Sequence, residues 1–166
     1  NEETHVYTIN VTAELANGNT LEAVYEGEID GLYFYPADEP DHYQFAAQSA
    51  IGSYQDWYSD RTPVTLQLYE NPYNEDEWSA NFPYVSLELN TEAGATHLLP
   101  GTYTLTNNYG VIGEGSLQSS RFYNRDQHGT SFAEGTLEVA VDENREYTLQ
   151  LTGTLTNGRT VDITYN

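Results

Sequence analysis

Carboxylates are the most numerous reactive groups in this sequence: seventeen Glu and nine Asp, against five Arg and no Lys. Hard oxygen donors of the kind calcium takes gather in Asp38-Glu39-Pro40-Asp41 and Asn74-Glu75-Asp76-Glu77. Asp38, Asp41, Glu75 and Asp76 are the candidate metal ligands. Neither cluster has the spacing of an EF-hand, nor the glycine that such a loop requires. The expectation is therefore solvated loop charge and no resident metal or cofactor, with calcium as the one cation these loops could take. Two carboxylates can also cleave a glycosidic bond when they face each other across a cleft. With this many acids some pair always looks suitable, so their number says nothing about hydrolysis.

Other reactive groups point away from an enzyme. His5, His42, His97 and His128 are scattered, without the HxH or HExxH spacing that sets two imidazoles on one metal. There is no Cys, which removes thiol catalysis, disulfides and zinc–thiolate sites. No GxSxG elbow is present, and Gly113-Glu114-Gly115 lacks both the third glycine and the following helix of a dinucleotide loop. The chain is expected to be non-enzymatic.

Aromatic residues give the stronger lead. The sequence holds fifteen Tyr, five Phe and two Trp, and thirteen of these rings lie between Tyr33 and Tyr84. Most must fill a core that is poor in aliphatic residues, where each full burial is worth roughly 1.5–3 kcal/mol. Trp57 and Trp78 differ, because polar residues flank both: Gln55-Asp56-Trp57-Tyr58-Ser59-Asp60 and Glu75-Asp76-Glu77-Trp78-Ser79. An exposed ring flanked by acids and amides can stack on the C–H face of a sugar while its neighbours bond the hydroxyls. Trp57, Tyr58, Tyr73 and Trp78 are the candidate ligand contacts, with a glycan or another surface protein as the partner. The formal net charge of −21 repels phosphate backbones and anionic headgroups, so nucleic acid and direct membrane-surface binding are not expected.

Strands must carry these groups. Tyr, Thr, Val and Asn are abundant and no segment shows a convincing amphipathic helix, a composition that favours strands and turns. Period-2 alternation, the mark of half-buried strands, runs through Leu32–Tyr35, Tyr43–Ala47, Val64–Tyr69, Tyr84–Leu89, Gly101–Thr106, Gly115–Tyr123 and Phe132–Val141. All six prolines fall at or beside these strand ends, where a missing N–H is tolerated. Gln48–Thr62 and Glu70–Phe82 read as long loops, and they hold both tryptophans. No apolar run approaches the length of a transmembrane helix, and a chain starting at Asn1 without any Met is expected of a trimmed, exported product.

The sequence also repeats itself. Residues Tyr7 to Tyr25 align without gaps on Tyr147 to Tyr165, sharing Tyr-Thr at the start, a central Asn-Gly and the closing Tyr. Asn-Gly usually marks a two-residue hairpin loop, but that register would set inward Ala13 opposite outward Glu22. A three-residue loop, Ala16-Asn17-Gly18, instead pairs Ala13 with Leu21, Val11 with Ala23 and Ile9 with Tyr25. Thr156-Asn157-Gly158 should behave alike, with positive φ at Gly18 and Gly158.

Leu99-Pro-Gly-Thr-Tyr-Thr-Leu105, then Glu134-Gly-Thr-Leu-Glu-Val139, Tyr147-Thr-Leu-Gln-Leu and the hairpin ending in Tyr165 together resemble a group of functionally uncharacterised β modules of gut Bacteroidetes, secreted or lipid-anchored. The resemblance spans roughly residues 31 to 166. It implies an extracellular, cell-surface or periplasmic location and supplies no catalytic residues. The expected fold is an antiparallel β-sandwich of about ten strands with two long aromatic loops, or else a closed antiparallel β-barrel. One domain over residues 1–166 is expected; the alternative makes 1–31 the closing hairpin of a preceding repeat and 32–166 the module proper. The expected function is a binding module, with carbohydrate as its ligand. The alternatives are a purely structural module of a larger surface protein, or a barrel that binds a small apolar ligand.

Overall fold

The structure, a computed structural model, describes residues 6–14, 20–28, 40–107 and 110–166. Gly18, the strand expected at Leu32–Tyr35 and the candidate ligand Asp38 lie outside the described residues. The chain divides into two compact units, Asn1–Glu39 and Pro40–Asn166.

The first unit contains an antiparallel hairpin of β1 (Val6–Glu14) and β2 (Thr20–Glu28). Its register pairs Ile9 with Tyr25, Val11 with Ala23 and Ala13 with Leu21. That is the odd-loop register, which keeps apolar residues on one side of the pair. Ile9, Val11 and Tyr25 on that side are 36%, 47% and 44% exposed.

Among the described residues the second unit has ten strands: β3 (His42–Ala46), β4 (Ser49–Tyr54), β5 (Arg61–Tyr69), β6 (Tyr84–Glu92), β7 (Gly101–Thr106), β8 (Glu114–Ser116), β9 (Arg121–Tyr123), β10 (Gly129–Val141), β11 (Tyr147–Leu155) and β12 (Thr160–Tyr165). They pair in the order β3-β12-β11-β10-β7-β8-β6-β5-β4, and β9 bridges β10 and β6. The bridge closes β6, β8, β7, β10 and β9 into a five-strand barrel, with the remaining strands running on outside it. The fold is all-β as expected, and it combines a closed barrel with sheet that continues beyond it.

Three features depart from the sequence reading. Two pairings, β7 with β8 and β12 with β3, are parallel. Only β3 and β12 are far apart in sequence, while β7 and β8 are parallel across the short connection 107–113; periodicity within a strand carries no sign of its direction relative to a partner. The single strand expected over Gly115–Tyr123 is β8 and β9 with a turn between them. Ser120 N–H donates to the Ser116 carbonyl at 3.0 Å and Ser119 N–H to Ser116 Oγ at 3.1 Å. Finally, Gln48–Thr62 is not loop throughout, since Ser49–Tyr54 pairs along β5 as the edge strand β4.

The core follows from alternation. Val64, Leu66 and Leu68 of β5, Val85, Leu87 and Leu89 of β6, Leu149 and Leu151 of β11, and Val161 and Ile163 of β12 are all buried in one cluster. Among the described glycines the closest approach is at Gly115, where a Cβ would lie 2.6 Å from Leu105 and 2.8 Å from Leu89. The β11–β12 connection is the expected three-residue loop: Leu155 N–H donates to the Arg159 carbonyl at 2.7 Å, Gly158 N–H donates to the Leu155 carbonyl at 2.9 Å, and Gly158 has φ +85°.

Candidate functional site

The connection from β5 to β6 is built on amide side chains. Asn81, fully buried, donates from Nδ2 to the Asn74 carbonyl at 2.9 Å, and its Oδ1 accepts the Asn74 N–H at 2.7 Å. Asn74 Oδ1 in turn accepts the N–H of Asp76 at 2.9 Å and of Glu77 at 3.2 Å. Asn71 Nδ2 donates to the Ala80 carbonyl at 3.2 Å, and Tyr73 N–H to Ser49 Oγ at 2.9 Å. These bonds satisfy loop backbone groups that no strand partner reaches. They hold a short 3-10 helix, Trp78–Asn81, at a fixed place beside the sheet.

Trp78 stands on an aromatic ladder. Tyr69, Tyr84 and Tyr123 are register partners across β5, β6 and β9. Tyr84 stacks on Tyr69 at 5.0 Å and on Tyr123 at 4.6 Å between ring centroids. The Trp78 ring meets Phe82 at 5.6 Å and 88°, and Tyr84 at 5.8 Å and 72°, while remaining 50% exposed. Edge-to-face contact of this kind is favourable beyond the area it buries. It leaves the indole rigid with open surface to solvent. Tyr73 leans on Tyr69 at 5.0 Å.

Burial pushes the Tyr69 phenol up to about 12, helped by neighbouring Tyr73, and raises Tyr84 as well, with Tyr123 and Tyr69 adding to it. Desolvation disfavours a phenolate, so at neutral pH these hydroxyls are protonated donors and not bases. The ladder can support a ring or bond a hydroxyl.

Trp57 and Tyr58 lie elsewhere. They occupy the β4–β5 turn, whose neck is closed by Gln55 N–H donating to the Pro63 carbonyl at 3.0 Å. Trp57 is 72% exposed. The Arg61 guanidinium sits 3.9 Å over the Tyr58 ring and is ion-paired to Asp60 at 3.1 Å. That turn meets β5 at Arg61, and the Trp78 loop leaves it at Tyr69. Eight strand steps of about 3.3 Å put the two ends some 26 Å apart. The four candidate aromatics thus form two places, Tyr73 with Trp78 at one end and Trp57 with Tyr58 at the other.

Among the described residues no group of three or more His, Asp or Glu is arranged to hold a metal ion. Asp41 accepts the Thr160 N–H on its backbone carbonyl at 2.9 Å, and Glu75 and Asp76 sit in the loop that Asn74 turns.

Sequence reasoning missed a cleft. Tyr54, Leu66, His97, Leu98, Tyr147 and Tyr165 line a space of about 200 Å³. Tyr147 Oη donates to the Leu98 carbonyl at 2.9 Å, and burial raises the Tyr54 phenol. Ligand pockets usually enclose at least about 300 Å³, so this space suits a side chain better than a separate molecule. Its residues come from β4 and β5, from the connection between β6 and β7, and from β11 and β12, segments far apart in sequence, and no local signal could have grouped them.

Comparison with family models, with curated proteins and with solved structures finds no match. Function must therefore be argued from the site.

Proposed function

We propose that this protein is a non-enzymatic binding module of the cell surface or periplasm that holds carbohydrate against Trp78. The observation that carries this reading is the geometry of that ring: half-exposed, yet clamped edge-on by Phe82 and Tyr84. A flat apolar surface fixed in advance costs little side-chain entropy when a sugar settles on it. The exposed carboxylates of Asp76 and Glu77 beside it can accept bonds from sugar hydroxyls. One platform alone implies weak binding, near the millimolar range that corresponds to about −4 kcal/mol. The exported location rests on the resemblance of the Leu99–Leu105, Glu134–Val139 and Tyr147–Tyr165 motifs to secreted modules.

The test is a titration of tryptophan fluorescence with a panel of plant and host glycans, with and without calcium. A saturable change that Trp78→Ala abolishes and Trp57→Ala preserves is expected. No response from the native protein to any glycan in either condition would retire the reading.

A second reading, a structural module of a larger surface protein, is favoured by a different observation. The hairpin β1–β2 shares the pattern and register of β11–β12, and its described apolar residues Ile9, Val11 and Tyr25 are exposed.

A further inference from the structure

The two copies of the repeated hairpin have one register and two surroundings. Leu149 pairs with Tyr165, Leu151 with Ile163 and Gly153 with Val161. These are the positions of Ile9 with Tyr25, Val11 with Ala23 and Ala13 with Leu21. In the second copy Leu149, Leu151, Val161 and Ile163 are at most 2% exposed, whereas Ile9 and Val11 in the first are 36% and 47% exposed. The edges differ too. β11 pairs antiparallel with β10 and β12 pairs parallel with β3, while among the described residues β1 and β2 pair only with each other. A lone two-stranded hairpin is marginal in water, and open strand edges invite pairing with another chain.

We propose that β1–β2 is a donor hairpin that completes a second β module of this same architecture, one that lacks its own closing hairpin. The occupant is specified by what surrounds β11–β12: an apolar interior beneath the hairpin, an antiparallel strand beside β1 and a parallel strand beside β2. This goes beyond the glycan reading, does not depend on it, and gives the structural reading a partner.

Two positions show how that acceptor differs from residues 40–146 of this chain. Ala13 stands where the second copy has Gly153, and a Cβ there would lie 2.8 Å from the Glu134 carbonyl oxygen and 2.9 Å from the Phe132 ring. The acceptor is roomier at the place of Phe132. Ala23 stands where Ile163 is fully buried, so the acceptor carries a bulkier side chain opposite it. Ala13→Gly with Ala23→Ile should accordingly fit the donor to this chain's own slot.

The probe is a tagged fragment of residues 40–146, which has the slot without its hairpin, co-expressed with full-length chains. The full chain carrying Ala13→Gly and Ala23→Ile is expected to recover the fragment in soluble one-to-one complex, and the native chain to recover at least tenfold less. Adding Ile9→Asp and Val11→Asp to the fitted donor should abolish recovery. The proposal is overturned if a peptide of residues 147–166 recovers the fragment and the fitted full chain does not, or if recovery survives the two aspartates. Should the fragment aggregate with every donor, a full chain whose residues 147–165 are replaced by 7–25, carrying the same two substitutions, decides the matter. A cooperative melt of that chimera supports the proposal, and the absence of one overturns it.

Discussion

Hairpins β1–β2 and β11–β12 share one pattern and one register, yet their described apolar side chains have different surroundings. Both alternate at period 2 and share the Asn-Gly turn and the closing tyrosine. In β11–β12 the alternation is matched by Leu66, Leu68, Leu87 and Leu137 in the same buried cluster. In β1–β2 the same pattern meets solvent at Ile9, Val11 and Tyr25. Patterning therefore specifies which way side chains turn, while the identity of what they turn toward is set by partners far along the chain or outside it.

The sharpest way to break this contrast is one charge placed in each copy. Leu151→Asp puts a carboxylate into a fully buried site and should cost about 4 kcal/mol or more. Val11→Asp should change the unfolding free energy of the residue 40–166 unit, measured by urea melts, by no more than about 0.5 kcal/mol. A comparable loss from Val11→Asp would mean that the copies share one core.

Alkali should act next most strongly, and on the second unit. Tyr69, Tyr84, Tyr103 and Tyr54 are all raised, by burial first in each case. Their neutral form is favoured by folding, so the stability they contribute is complete below about pH 10 and is lost as pH climbs through the folded values, about 12 for Tyr69. Denaturant melts followed from pH 9 to pH 12 should show a falling midpoint, with a shallower fall in Tyr69→Phe.

Smaller effects test the turn and the crowded glycine. Gly153→Ala meets backbone at 2.8 Å and should destabilise by about 1–3 kcal/mol, whereas Ala13→Gly in the other copy should leave the second unit's melting temperature unchanged. Gly158→Ala, at φ +85°, should cost about 1 kcal/mol, measured by the same melts.

Much of the fold was legible because registers are local arithmetic. Ile9 opposite Tyr25, and the left-handed Gly158, both followed from keeping one side of a hairpin apolar. The edge strand Ser49–Tyr54 was not legible, since its half-buried pattern, with Gly52 and two serines, carries little alternation. Trp57 and Trp78 were recognisable as unusual from their polar neighbours, and both are exposed. That they sit at opposite ends of β5 depends on where β4 and the Trp78 loop join that strand. Tyr54, Tyr147 and Tyr165 line one cleft although β4 lies near the start of the second unit and β11 and β12 at its end.

The parallel pairing of β3 with β12 has a mechanical consequence. The first and last strands of the second unit lie side by side and point the same way, so tension between Pro40 and Asn166 drags them past each other lengthwise. Every bond of that ladder, from Thr160 N–H to the Asp41 carbonyl through to Ala47 N–H and the Thr164 carbonyl, then bears load together and cannot be peeled one at a time. Pulled from its ends, this unit should resist until it gives way in a single rupture.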